Sequence, residues 1–291
     1  MKTRHKHKKR EKRTALGRRR RRNMNEADAE YLSLVVNPIR VCADYRPKLG
    51  HGSKGGFSLK QFQAAYRHDP FYSWMGLDNP LMYAAHKAAG GMTSIYRQIG
   101  IGCENLFRRI LRDRLSLSDD DVNWSYSVKK SKGKTRTLHL DGRIPLDSVN
   151  DDNIKQRIHD WIMTAADTLD VSKRIATSLQ GVVFEVRQGY KSKDSKRQNA
   201  DIANAATAYV RGYLPCAAIL SLQIDDDIAL RYRNEKWMLL TGLPTNNSSH
   251  ESIYSFMKEV IGYDLASFFK RNSAILKAEV NNVLTKLLAT E

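Results

Sequence analysis

Glu185 is the residue whose place in the chain most needs a chemical reason. It stands within "GVVFEVR" (residues 181–187), a run apolar enough for a buried strand, with Arg187 two positions on and Lys191, Lys193, Lys196 and Arg197 close behind. Side chains alternate along a strand, so Val182, Phe184 and Val186 share the face that the pattern assigns to the core. Val183, Glu185 and Arg187 share the other, which the pattern turns toward an edge, a cleft or a partner. A carboxylate held away from water is costly unless a cation or a metal ion meets it. The simplest arrangement is an ion pair of Glu185 with Arg187 or a following lysine, a structural role. A second carboxylate offers another. In "TLHLDGRIPL" (residues 137–146), Leu138 and Leu140 share one face while His139, Asp141 and Arg143 share the other, so Asp141 ends an extended segment just before Gly142. Alone, such an Asp commonly accepts backbone N–H groups at a turn. Paired with Glu185, it supplies the oxygen donors that a hard divalent ion such as Mg²⁺ prefers. Such an ion polarises a phosphodiester and activates a water, and nearby Lys or Arg stabilises the developing negative charge. That is the chemistry of nucleic-acid backbone hydrolysis.

The elements that must hold these residues are readable in outline. "NWSYSVKKSKGKTRTLHLDGRIPL" predicts a hairpin turning at Lys132, Gly133 and Lys134. Asn150 is placed to cap a helix whose Ile154, Ile158, Trp161, Ile162 and Ala165 form one apolar stripe. After the Glu185 strand, a helix over about residues 195–213 leads to a second apolar strand, "CAAILSLQI". Strand, helix and strand at this spacing make a βαβ unit and a parallel pair. Asp194 or Ser195 would cap that helix, leaving Lys196, Arg197, Gln198 and Asn199 in its first turns. Cations oppose the helix dipole there, whereas free N–H groups favour an anion, so a phosphate partner fits the pattern. Gln198 and Asn199 have the groups to read base edges, or they face solvent. Asp225, Asp226 and Asp227 close the second strand as an acidic turn or a further metal ligand.

An acid on one strand, then an acid-x-cation strand, a helix and another strand: this arrangement resembles the PD-(D/E)xK nuclease superfamily, most closely its type II restriction endonucleases. The resemblance covers roughly residues 135–226. It implies Asp141 and Glu185 as metal ligands, Mg²⁺ as cofactor and double-stranded DNA as substrate. A palindromic target would further require a homodimer. Arg187 stands where that family usually carries Lys. A guanidinium stabilises charge but does not act as a base, so either Arg187 works electrostatically or Lys191 or Lys193 takes the catalytic place. Lys193, Lys196, Arg197, Gln198 and Asn199 would contact DNA. The first acid is open to alternatives, among them Asp167, Asp170 and an upstream helical acid.

The rest of the chain bounds these expectations. Of the net charge of +18 over 291 residues, residues 1–22 contribute +12, from 13 Lys/Arg against Glu11. Such a segment cannot bury enough apolar surface to fold, and as a disordered arm it is drawn to a polyanion. Two other classes therefore stand beside the nuclease: a non-catalytic basic nucleic-acid-binding protein, and a nuclease fold without activity. Cys42, Cys103 and Cys216 are odd in number and form no CxxC pair, which predicts a reduced, cytoplasmic setting without disulfides or zinc. No run is apolar enough to span a membrane, no secretory leader is expected, and neither a P-loop nor a dinucleotide fingerprint occurs. Residues 25–120 should be mainly helical, with Ser58 capping one helix, Pro80 opening another, and Gly90, Gly91, Gly100 and Gly102 breaking the latter into two or three pieces. Residues 246–291 should be helical again. The expected whole is an α/β (α+β) fold, with a restriction-endonuclease-like mixed-sheet catalytic core over residues 121–245, flanked by helices, behind a basic arm over residues 1–24.

Overall fold

A computed structural model describes residues 27–48, 55–129, 135–189 and 204–289. The basic arm, the expected hairpin turn and Lys191, Lys193, Asp194, Ser195, Lys196, Arg197, Gln198 and Asn199 lie outside these.

The fold is α+β, built on a mixed sheet as expected. The first described helix, α1, covers residues 27–40 and runs into a 3₁₀ turn, Val41–Asp44. Helix α2, Leu59–His68, opens with the expected Ser58 cap, and Gln61 returns a bond to complete a capping box. Pro70 prevents α2 from continuing and starts the short α3, Pro70–Trp74. Helix α4, Pro80–Leu115, runs 36 residues without a break, so the expected division at its glycines does not occur. Those glycines serve close packing instead. A Cβ at Gly90 would overlap the Tyr45 ring, at Gly91 it would meet Leu287 at 2.8 Å, and at Gly102 it would meet the Val35 backbone at 3.0 Å. The intrinsic cost of helical glycine, about 1 kcal/mol each, is offset by letting three other segments lie against the helix.

A four-residue helix, α5, Asp119–Val122, precedes a two-stranded antiparallel ribbon, β1 (Trp124–Lys129) and β2 (Thr135–Leu140). The second sheet has the order β3-β4-β5-β6. Here β3 is Gly142–Pro145, β4 is Gly181–Arg187, β5 is Tyr213–Ile219 and β6 is Met238–Leu240. β3 is antiparallel to β4, and β4, β5 and β6 are mutually parallel. The parallel β4–β5 pair is the one that the strand–helix–strand pattern required. β5 starts earlier than its apolar run suggests, at Tyr213, and the described part of the connecting helix, α8, covers residues 204–210. β6 escaped the sequence because a three-residue strand is too short to show periodicity. Helix α6, Asp152–Thr168, links β3 toward β4, capped by Asp151 rather than the expected Asn150: its carboxylate accepts from Asn153 and Ile154. A short α7, Lys173–Ala176, follows. Helix α9, Asp226–Asn234, is capped by Asp225; β5 already ends at Ile219, so the acidic triplet starts a helix and does not close the strand as expected. The chain closes with a helical turn Ile253–Ser255 (α10) running into a π segment, Phe256–Ile261, and with α11, Leu265–Leu288.

Both faces of the larger sheet are covered. Val182, Phe184 and Val186, with Cys216 and Ala218, pack on α4, α6 and the π segment. The Phe107 and Phe256 rings lie 4.9 and 5.6 Å from Phe184. The other face carries Val183, Ala217, Ile219 and Leu239, and it is closed by Trp124 and Tyr126 of the ribbon, α8, α9 and Trp237. Parallel strands buried on both sides lack simple alternation, so the expectation that the Val183 face opens toward an edge or cleft is corrected.

Candidate functional site

The correction bears directly on Glu185. It lies on the second buried face with only 7% of its surface exposed, and its partner is Arg187, the next residue on that face, joined to it by an ion pair. β5 sets Ala217 beside Glu185 in the parallel register, a side chain small enough to leave room for the pair. The Leu220 amide donates to the Arg187 carbonyl at 2.9 Å, holding the strand end against β5.

Asp141 arrives from the other side. It is the bend between β2 and β3, and the β3–β4 register places Gly142 opposite Phe184. The Asp141 amide donates to the Phe184 carbonyl at 2.8 Å, and its Oδ2 accepts from the Val186 amide at 2.8 Å. Asp141 therefore straddles Glu185, bound to the residues before and after it. The two acids singled out by sequence, 44 positions apart, meet at the carboxyl end of β4. The structural ion pair, the plainer expectation for Glu185, is present, and Asp141 satisfies a backbone N–H as expected, though one on β4 and not one in its own turn.

The sequence had not named Glu104, beyond allowing for an upstream helical acid. It lies in α4, one residue past the buried Cys103, and it joins the site because α4 packs across β3 and β4. Arg108, one turn on, donates through Nε to the Asp141 carbonyl at 3.0 Å. Burial, followed by the charge of Asp141, pushes the Glu104 carboxyl up to about 7, while Arg187 and Arg108 pull it down. Three acids, Glu104, Asp141 and Glu185, and two guanidinium groups, Arg108 and Arg187, are thus brought to one end of the sheet. Periodicity alone could have flagged Glu104 as a charge beside the buried positions Gly102, Cys103 and Leu106 of α4. It could not say that a strand bend 37 residues later would face it.

The donors suit a hard divalent cation in kind. Glu104 and Asp141 raise each other's energy as anions, a repulsion that a cation would relieve. Among the described residues, no three His, Cys, Asp or Glu side chains form a ready-made metal-binding group. His86, on α4, contacts the Tyr66 hydroxyl at 3.4 Å and lies 5.8 Å from the Phe62 ring, a packed histidine. Cys42, Cys103 and Cys216 are buried free thiols. No described helix is long and apolar enough to cross a membrane. Comparisons with protein-family profiles, curated proteins and solved structures found no match.

Proposed function

We propose that this chain is a Mg²⁺-dependent endonuclease that cleaves double-stranded DNA at specific sites, in the manner of a type II restriction enzyme. One observation carries the reading: Asp141 lies across Glu185 at the carboxyl end of β4, with Glu104, Arg108 and Arg187 around them. The segment leaving β4 at that point runs into Lys191, Lys193, Lys196 and Arg197. Carboxylates at the centre of so basic a chain would repel a phosphate unless a cation joined them.

In this reading Asp141 and Glu185 hold the ion, with Glu104 beside them. A bound Mg²⁺ supplies Lewis-acid polarisation of the phosphodiester and a more acidic water. Arg108 and Arg187 offset negative charge at the scissile group, and Arg187 remains a cation throughout because a guanidinium does not give up its proton at neutral pH. Lys191 is the nearest following lysine, and its ammonium can exchange one. Lys193, Lys196, Arg197, Gln198 and Asn199 contact DNA, the cations fixing register on phosphates and the amides reaching base edges. A palindromic site implies a homodimer, and three free thiols fit a reducing cytoplasm.

A second reading, a non-catalytic nucleic-acid-binding protein, has its own support. Glu185 already has Arg187, and Asp141 already has the Val186 amide, so both acids have structural work without a metal. The deciding experiment incubates the protein with long duplex DNA and Mg²⁺ or Mn²⁺, beside EDTA, Asp141→Asn and Glu185→Gln controls. Discrete fragments that vanish in every control support the nuclease. Binding without cleavage under all metal conditions leaves the binding protein.

A further inference from the structure

Away from the β4 end, α2, α3 and the start of α4 present an unusual surface. Phe71, Tyr72, Trp74, Met75 and Leu81 are all exposed, Trp74 by 82% and Leu81 by 76%. Isolated exposed apolar side chains are ordinary, but five within eleven residues form a patch of the kind that marks a binding surface.

The rings of this patch are held in order. Phe62, fully buried, stacks on Tyr66 at 4.1 Å and 27°. Tyr66 lies 4.9 Å and 31° from Tyr72, and Tyr72 lies 6.1 Å from Phe71. The series thus runs from the core to the surface, and its inner end is braced by Tyr83, 5.5 Å from Phe62. The backbone beneath the outer rings is fixed as well: the Asp69 carboxylate accepts from the Phe71 and Tyr72 amides, and Pro70 sets the first turn of α3. A flat ring landing on Tyr72 or Phe71 would meet side chains already in ring contact, which lowers the entropic cost of contact, and Trp74 extends the same surface.

The surroundings are basic. Arg46, Lys48, Lys60 and Arg67 are exposed in the described segments that flank the rings. Of the acids there, Asp69 is the α3 cap, Asp78 is in an ion pair with Arg67 at 2.9 Å, and Asp44 is exposed two residues before Arg46. Arg46 stands near enough to Tyr83 for its charge to act on that phenol. Flat apolar faces, with exposed cations on α2 and in the segment before it, match a strand whose bases are unpaired and whose backbone is anionic. They match a second copy of this chain poorly, because a two-fold contact would set the same four cations against themselves.

We propose that the Phe71–Tyr72–Trp74 surface is a stacking platform for unpaired bases of a nucleic-acid strand, with Arg46, Lys48, Lys60 and Arg67 meeting its phosphates. The inference rests on the nucleic-acid half of the function proposed above and is independent of hydrolysis. The test compares binding of a short oligothymidylate and an abasic oligomer of equal length, in EDTA at physiological salt, with sedimentation run in parallel. The full chain should prefer the oligothymidylate by about tenfold, the size expected for one or two stacked bases. Phe71→Ala/Trp74→Ala should lose that preference and keep its affinity for the abasic chain, while Trp74→Phe should retain it.

A double variant that still prefers the bases overturns the platform and leaves the function above standing. A full chain that binds neither oligomer nor duplex DNA overturns both. A double variant that loses self-association while keeping the base preference makes the patch an interface between copies, and the platform falls.

Discussion

Both faces of β4 are largely hidden from water, yet their chemistry differs sharply. On one, Val182, Phe184 and Val186 are fully buried and meet apolar side chains from α4, α6 and the π segment along the whole strand. On the other, Val183 is just as buried, but the strand then carries Glu185 and Arg187 as an ion pair beside Asp141. Burial does not separate core from site here; chemical content does. An apolar face gains from every atom removed from water. An ion pair with so little exposure must recover two desolvation costs, and replacing such pairs by apolar residues is often neutral or favourable. A pair kept in such a place is better explained by a task than by stability.

The largest effect should come from the apolar face. Phe184→Ala removes a ring in contact with Phe107 and Phe256 and should cost about 3–5 kcal/mol in denaturant unfolding. A loss under about 1 kcal/mol would mean that this face is not the core. The charged face should answer differently to single and double changes. Arg187→Ala removes the ion pair from the buried Glu185 and should cost about 3 kcal/mol, whereas Glu185→Leu/Arg187→Met should recover most of it. Equal losses in both would assign the pair to stability and weaken the contrast.

Metal comes next. If Asp141 and Glu185 bind Mg²⁺, a concentration ten times the dissociation constant stabilises the fold by about 1.4 kcal/mol. The Tm should rise with added Mg²⁺ and fall back with EDTA, and Asp141→Asn should abolish the response. Indifference of the full chain to Mg²⁺ and Mn²⁺ alike would count against the ligand assignment.

The smallest effect concerns Glu104. Its folded carboxyl titrates at about 7 against an ordinary 4.5, so the fold favours its neutral form. The associated stability is present below pH 4.5 and is lost as pH rises through 7. In metal-free protein, Glu104→Gln should therefore match the parent near pH 5 and exceed it near pH 8. The gain should be about 1 kcal/mol once solvent screening of this half-exposed group is allowed for. A difference that is flat in pH would mean that neither burial nor Asp141 raises the Glu104 carboxyl.

Much of the local structure was legible beforehand. Ser58 and Pro80 start their helices as their chemistry requires, the stripe from Ile158 to Ala165 is core, and the strand–helix–strand spacing gave a parallel pair. Three expectations failed for one kind of reason. Gly90, Gly91 and Gly102 suggested breaks in α4, because helix propensity carries no knowledge that Tyr45, Leu287 and Val35 need the space. The Val183 face looked open, because a strand shows its own alternation and not the ribbon that later covers it. Asn150 looked like the α6 cap when the neighbouring Asp151 serves, a choice between adjacent capping residues that backbone geometry makes.

By itself, the sequence determined what depends on near neighbours: the caps, the apolar stripes, the strand that carries Glu185, and the excess of cations that points to a polyanion. Only the tertiary structure decided which distant residues share a site. It set Asp141 across Glu185 through a strand register, brought Glu104 and Arg108 against them through the crossing of α4, and left the Phe71–Trp74 rings uncovered. Such contacts join residues tens of positions apart, and they are chosen by packing of the whole chain rather than by the preferences of any one segment.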